Sequence, residues 1–414
     1  MTIKCFFFLQ MARTGPDIAQ RPSDWILCVH MDPKNGIHTK LANMFGEFSA
    51  PMAGARTMCA SWRGRDPVHS WHYLKLCLLQ TISRPLLFWM ASLDIPSIDF
   101  SKRPDSKDVS VAMANLGFLF IKNADVPSQD LVRDMFTLSK EFFEGESLEE
   151  KEKVSVTVQN RGWIGNRQEA LDTGGHPKGD LKEAFNLSKF TADGQPMQPL
   201  PPTLSKHVKT ISAFMQSCHE LSMRLLECFA QTLQLPNDYF TSRHVYDSQQ
   251  SSILRLLYYP PSNISEDQRQ GEIRAGAHSD YGSLTLLFQK SLGGLQLQLP
   301  NGKWLDAPVV DDAVLVNIGD LFDFWSGGRY PSTVHRVALP TGPEASQARY
   351  SIAYFLHPTD DVLLSRIPIK DDKEDQHARN SVYERFGVDA DEKMTAREWL
   401  DRRLAPTYKS RKEE

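Results

Sequence analysis

The chain has 414 residues and a mass of 47.0 kDa, with 41% hydrophobic and 24% charged residues, 24 Gly and 25 Pro. This is an ordinary globular composition, which excludes collagen-like, coiled-coil and disordered classes and leaves room for a large core. With 47 basic against 51 acidic residues the formal charge is −4, so no global positive field favours nucleic acid or an anionic membrane, and a small-molecule substrate with no obligate protein partner is expected. Six cysteines without a CxxC pair fit a reducing, cytoplasmic compartment. The apolar stretch Cys5–Met11 is too short for a membrane span, and Lys75 and Arg84 interrupt Tyr73–Leu93.

Residues 1–89 hold ten Lys and Arg against five Asp and Glu, whereas the remainder holds 37 against 46; they also carry four of the six Cys and four of the eight Trp. No sustained period of 3.6 or 2 runs through them, and Gly, Pro and Trp are scattered. They read as an atypical extension, spurious or disordered, and Trp, Cys and His content argues against a transit peptide. Regular patterning starts at Met90.

Ile95–Phe100 predicts a short edge strand, with Pro96 where a missing N–H is tolerated. Helices are predicted over 106–115, over 128–144 with Leu131, Met135, Leu138 and Phe142 on one face, and over 204–233 with Val208, Ile211, Met215, Cys218, Leu221, Leu225 and Cys228 in period. From about 250 the period shortens to 2. Strands are predicted at Ile253–Tyr259, Ile273–His278, Ser283–Phe288, Leu295–Leu299, Ala313–Ile318, Thr333–Leu339 and Arg349–Leu356, separated by Pro-Pro, Gly-Gly, Asn-Gly and Gly-Asp turns. Polar helical segments near 374–386 and 391–404 follow. Short strands at this spacing argue for a sandwich or jelly roll with flanking helices, and the absence of GxGxxG and P-loop motifs argues against nucleotide-driven chemistry. The expected parts are the extension 1–89, a helical and mixed region 90–245, a β core 246–360 and C-terminal helices 361–414.

The candidate chemistry centres on His278-Ser-Asp280 near the end of one predicted strand, with His335 on another. Residues two apart on a strand face the same side, so His278 and Asp280 can point together into a barrel. Two imidazoles and a carboxylate form a facial triad that leaves three coordination positions open, which suits non-haem Fe(II) and O2. An HxD pair by itself is weak, and a satisfied core histidine is the blander alternative; the surroundings decide. Arg349-Tyr-Ser351 repeats the i, i+2 geometry on the last predicted strand, and an arginine buried in a jelly roll needs an anion for its fork of donors. Tyr259 is a candidate third donor, with an ordinary core tyrosine equally open.

The stretch from Met90 to about Pro358 resembles the isopenicillin N synthase-like group of Fe(II)/2-oxoglutarate-dependent dioxygenases, which includes plant flavonoid and gibberellin oxidases and many fungal biosynthetic oxygenases. The resemblance rests on motifs in family order: Ile95-Pro-Ser-Ile-Asp-Phe, Asn115-Leu-Gly-Phe-Leu-Phe-Ile-Lys-Asn, Lys182-Glu-Ala-Phe, Tyr258-Tyr-Pro-Pro, His278-Ser-Asp-Tyr-Gly-Ser-Leu-Thr-Leu-Leu, Gly293-Gly-Leu-Gln, Val316-Asn-Ile-Gly-Asp, Ser332-Thr-Val-His-Arg-Val and Arg349-Tyr-Ser. It implies a distorted double-stranded β-helix core, iron bound by His278, Asp280 and His335, and 2-oxoglutarate carboxylates held by Arg349, Ser351 and Tyr259. The implied reaction consumes O2 and 2-oxoglutarate, releases succinate and CO2, and hydroxylates, desaturates or rearranges a small organic molecule, with a secondary metabolite expected. Leu257 departs from the Asn common at that position in plant members, and residues 1–89 match nothing in the family. An oxidase of the same fold that does without 2-oxoglutarate, or a non-catalytic jelly-roll binding protein, are the competing readings.

Asn160-Arg-Gly-Trp163 and the Gly-rich run Ile164–Asp180, leading into Phe185-Asn186, match the family segment that covers the pocket mouth. Trp163 and Phe185 are candidates to stack on a flat substrate, with core packing an equal alternative for each. Asn186, Tyr281 and Phe355 complete the candidate substrate residues, and the glycines suit a mobile lid.

Overall fold

A computed structural model of the chain describes residues 94–171, 178–262, 272–364, 367, 382–388 and 392–409, together with four strand segments before residue 49. The chain divides into two units, Met1–Ser92 and Leu93–Glu414. In the first, β1 (Ile3–Leu9), β2 (Trp25–Asp32), β3 (Gly36–Asn43) and β4 (Gly46–Phe48) form an antiparallel sheet in sequence order. No strands are expected there from the sequence. Ile3–Leu9 and Trp25–Asp32 are near-continuous apolar runs without the alternation that marks a half-buried strand.

The second unit begins with β5 (Ser97–Asp99), which pairs in parallel with β6 (Phe118–Lys122). Between them lies α1 (Ser106–Leu116), started by the Asp105 carboxylate accepting from the Lys107 N–H at 2.8 Å. It is ended by Gly117 at φ 64, where a Cβ would stand 1.9 Å from the Pro331 carbonyl oxygen. Helix α2 (Gln129–Lys140) runs into a π-turn at Glu141–Gly145, is capped by Ser128 and buries Met135, Phe136 and Leu138, close to the predicted 128–144. After α3 (Leu148–Glu152), β7 (Gly162–Ile164), β8 (Glu183–Ser188) and α4 (Pro202–Ser205) comes the long scaffold helix α5 (Val208–Thr232). Its predicted stripe from Ile211 through Cys228 is buried, and Phe214 packs on Phe288 of the sheet at 5.0 Å between ring centroids.

Strands β9 (Ile253–Tyr259), β10 (Ala275–His278), β11 (Leu284–Gln289), β12 (Leu295–Gln298), β13 (Trp304–Asp306), β14 (Ala313–Ile318), β15 (His335–Val337) and β16 (Arg349–Leu356) follow, with α6 (Asp320–Trp325) after β14 and α7 (Ala396–Lys409) near the end. The major sheet has order β5-β6-β14-β11-β16-β9-β8-β7, and the minor one β10-β15-β12-β13. This is the expected mainly β, double-stranded β-helix core with flanking helices. One face of the major sheet packs on the helices through residues such as Leu256, Phe288 and Ile352; the other meets the minor sheet through Phe118, Leu257, Tyr259, Leu297 and Val337.

The major sheet takes strands from both sides of residue 245, so the expected regions 90–245 and 246–360 share one sheet. The two ends of the segment 160–186, expected to cover the pocket mouth as a lid, are strands of the major sheet: β7 pairs with β8, and Glu183–Ser188 pairs with β9 over six residues and is buried on both faces, which erases the period-2 signal. Of the predicted helix near 374–386 only 382–386 falls among the described residues, where it is helical. No helix among the described residues is long and apolar enough to cross a membrane.

Candidate active site

Register brings the triad together. In the minor sheet His278 stands directly opposite His335, with a bulge between Ala275 and His278 re-aiming the strand end. Their ring centroids are 4.5 Å apart, and Asp280 Oδ1 lies 3.8 Å from His278 Nε2 and 3.7 Å from His335 Nε2. One ligand atom from each of the three residues falls within 4.8 Å of the others, a spacing that could hold one metal ion.

Neighbouring groups prepare these atoms. His278 Nδ1 faces the Gly276 carbonyl at 2.7 Å and His335 Nδ1 the Thr333 carbonyl at 3.1 Å. A carbonyl only accepts, so Nδ1 carries a proton in both rings and Nε2 is the ring atom turned toward Asp280 and a metal position. Burial, then the neighbouring His335, pushes His278 below its ordinary value. Phe118 meets the His335 ring edge-on at 5.6 Å. Asp280 Oδ2 accepts from Thr285 Oγ1 at 2.6 Å and Asn317 Nδ2 at 2.7 Å, turning Oδ1 toward the imidazoles. Burial raises this carboxyl, but the two imidazoles and the Asn317 and Thr285 bonds outweigh it and hold it below its ordinary value.

The loop after Asp280 is fixed from behind. Gly282 and Gly319 touch so closely that a Cβ on Gly319 would stand 2.2 Å from the Gly282 carbonyl oxygen. The Asp320 N–H donates to the Asp280 carbonyl at 2.7 Å, and Ser279 Oγ donates to Asp320 Oδ2 at 3.0 Å. From α7, Trp399 Nε1 donates to the Tyr281 carbonyl at 3.0 Å, while Arg403 pairs with Asp320 and lies 5.0 Å from the Tyr281 ring. This is where Tyr281 sits, between the triad loop and the last helix.

Arg349, Ser351 and Tyr259 also converge, all buried. Arg349 stands opposite Tyr259 across β16 and β9, its Cζ 4.8 Å from the phenol ring. Its Nη1 donates to Ser351 Oγ, Nη2 to Gln289 Oε1 and Nε to the Leu292 carbonyl, each at 3.2 Å. All three partners are neutral, so a guanidinium 1% exposed has no carboxylate bonded to it among the described residues. Such a site could take an anion. Leu257 lies opposite Ser351.

The candidate substrate residues separate by sheet face. Asn186 is cross-strand partner to Arg255, Arg255 to Ala353, and Phe355 to Thr285, which puts Asn186 and Phe355 on the face that carries the triad's supporting threonine. Asn186 Nδ2 donates to Asn160 Oδ1 at 2.8 Å, and its buried Oδ1 finds no partner among the described residues. Trp163 and Phe185 point the other way. Phe185 packs on Phe142 at 5.1 Å, and Trp163, 5% exposed, donates from Nε1 to Glu183 Oε2 at 3.0 Å, so both belong to the core between sheet and helices and neither faces the triad.

Several site residues escape sequence reasoning. Thr285 and Asn317 lie inside the quoted motifs without a role visible from spacing. Lys182 pairs with Asp180 and Glu169, Glu169 pairs with Arg255 at 2.6 Å, and Asp180 Oδ1 accepts from the Gly276 N–H at 3.1 Å. This buried network joins the 160–186 segment to β9 and β10. Its available signal is Arg255, a charge in the middle of the apolar strand Ile253–Tyr259.

Residues 250–358 match the family model described as the 2OG-Fe(II) oxygenase superfamily, and residues 95–205 the one described as non-haem dioxygenase in morphine synthesis N-terminal. Similar curated proteins include a UPF0676 protein of Schizosaccharomyces pombe, 36% identical over 77% of this chain and 94% of its own length, and the proline hydroxylase buaE of Petromyces alliaceus, 33% identical over 72% and 91%. Among solved structures, a full-length Neurospora crassa protein in complex with alpha-KG and thymine is 32% identical, covers 76% of this chain and 97% of its own, and superposes with a TM-score of 0.64.

Proposed function

The chain belongs to the 2OG-Fe(II) oxygenase superfamily and is a 2-oxoglutarate-dependent dioxygenase with Fe(II) as cofactor; from that premise we propose that it oxidises a C–H bond of a small, ring-containing molecule, with His278, Asp280 and His335 holding the iron and Arg349, Ser351 and Tyr259 the distal carboxylate of 2-oxoglutarate. The observation that carries this reading is the pairing, inside one barrel, of a three-ligand cluster within 4.8 Å with a buried arginine whose hydrogen-bond partners among the described residues are neutral. The donor set fits Fe(II): two neutral imidazoles and one carboxylate leave coordination positions for a chelating cosubstrate and O2. When bound, Fe(II) and 2-oxoglutarate supply the oxidising power, with release of succinate and CO2.

The chain's own residues then bind, orient and exclude water. The Gly276 and Thr333 carbonyls hold the imidazole tautomers, and Thr285 and Asn317 hold the Asp280 carboxylate. Arg349 and Ser351 offer a charged fork plus a hydroxyl, which fits a carboxylate bidentately. Phe118 and Phe355 supply apolar wall near the triad. Asn186 Oδ1, buried and without a partner among the described residues, is the proposed acceptor for an N–H of the substrate, and Phe355, on the same sheet face as Thr285, is the proposed ring contact. A proline hydroxylase and a protein crystallised with thymine stand among the relatives, which supports a small nitrogen-containing ring as substrate class.

The test is a panel of cyclic amino acids, pyrimidines and ring-bearing secondary metabolites, scored by substrate-dependent succinate release from the Fe(II)-loaded protein. Stoichiometric succinate and oxidised product are expected from at least one ring compound, with Asn186→Ala raising its KM. Product formed without 2-oxoglutarate, or preference for an acyclic substrate, would contradict the reading.

A further inference from the structure

Beside Arg349 lies a second buried arginine, Arg274, 1% exposed, four residues before His278. Its backbone N–H donates to the Val337 carbonyl, which places it at the start of the strand that carries the first histidine. Its Nη2 donates to the carbonyls of Pro260 at 3.3 Å and Gln347 at 3.2 Å, and its buried Nε has no partner among the described residues. No carboxylate bonds it among the described residues. Glu344 acts on it only through its field and is exposed.

Both guanidinium groups lie against one ring, Arg349 at 4.8 Å and Arg274 at 6.0 Å from the Tyr259 centroid. Two like charges taken out of water beside each other repel, and bonds to neutral carbonyls do not cancel that cost. Burial, then Arg349, lowers Arg274 to about 10, the direction expected of two cations lacking a counter-charge. A ligand carboxylate on Arg349 and Ser351 supplies that counter-charge to both.

Resting on the clamp assigned above, we propose that Arg274 is a second, positioning cation of the cosubstrate site, which makes the site selective for 2-oxoacids that carry a distal carboxylate. Arg274 does not reach the ligand in this role. It acts through its field, and by bonding Pro260 and Gln347 it ties the residue after Tyr259 to the one two before Arg349, so that the clamp strands keep their register.

The test compares equilibrium binding of 2-oxoglutarate with that of 2-oxobutyrate, which lacks the distal carboxylate, by calorimetry on anaerobic Fe(II)-loaded full-length protein. Arg274→Gln retains an N–H for the carbonyls but loses the charge, and should lower the preference for 2-oxoglutarate by about tenfold. Arg274→Lys keeps the charge and should stay within about twofold of the wild-type preference. Thermal unfolding in parallel separates misfolding from a lost field; should the Gln chain not fold, the Lys chain carries the test, and a tenfold loss of preference there would overturn the proposal. Equal weakening of both ligands by Arg274→Gln, leaving the preference intact, would mean a purely structural arginine and would also overturn it. Arg349→Gln should abolish the preference outright; if it does not, the clamp reading fails instead.

Discussion

Asp280 is held by bonds that point its two oxygens in different directions, and this division of labour is testable one side chain at a time. Thr285→Val or Asn317→Ala removes one bond to Oδ2, so each is expected to weaken Fe(II) affinity about 10- to 100-fold while leaving the fold in place. Metal content after dialysis against a calibrated chelator reads this directly, and unchanged affinity in both variants would mean that Asp280 needs no orienting partners. The triad itself was legible in the sequence because HxD places two ligands on one strand face and a third histidine sits on another strand. Thr285 and Asn317 were not, since their role depends on β11 and β14 lying side by side with these two residues opposite each other. Two other buried histidines set an acid limit. Burial lowers His244 from 6.5 to about 3 and His357 from 6.5 to about 4. Below pH 6.5 the unfolded chain takes up protons that the folded chain refuses, so stability falls as pH falls, by about 1.4 kcal/mol per pH unit for each. The thermal midpoint should drop between pH 7 and pH 5, and His357→Gln should flatten the slope; a constant midpoint over that range would show that these rings titrate normally.

Strands β9, β14 and β16 coincide with their predicted limits because their apolar runs are bounded by turn residues. Strands β6 and β8 were not predicted: both are buried almost throughout, so the sequence shows a short apolar run or a mixed one with no alternation. The same blindness left Trp163 and Phe185 open between pocket and core. Only the pairing Trp163↔Phe185, with Phe185 on Phe142, decides for the helix-side core. Trp163→Ala is therefore expected to cost about 3–5 kcal/mol of stability. Denaturant unfolding measures that loss. A Trp163→Ala protein that melts like wild type yet consumes 2-oxoglutarate without oxidising substrate would return Trp163 to the pocket.

Across the whole molecule, the loop after Asp280 is braced from α7. Trp399 is 1% exposed and bonds the Tyr281 carbonyl, and Arg403 reaches Asp320 behind Ser279. Trp399→Ala should lower both the unfolding midpoint and iron occupancy, whereas loss of stability with full occupancy would mean that α7 only covers the core. The strands β1–β4 pair only with one another among the described strands, and we propose that residues 1–92 are not needed for the chemistry: the fragment 93–414 should bind Fe(II) and unfold at the same midpoint. In the proposed site, iron and 2-oxoglutarate meet between His278, Asp280 and His335 on one side and Arg349, Ser351 and Tyr259 on the other. The most direct measurement is the anaerobic visible spectrum of the Fe(II)-loaded protein titrated with 2-oxoglutarate. A charge-transfer band that saturates at one equivalent, vanishes in Asp280→Ala and needs far more 2-oxoglutarate in Arg349→Lys is the predicted result. A band unchanged in both variants would contradict it.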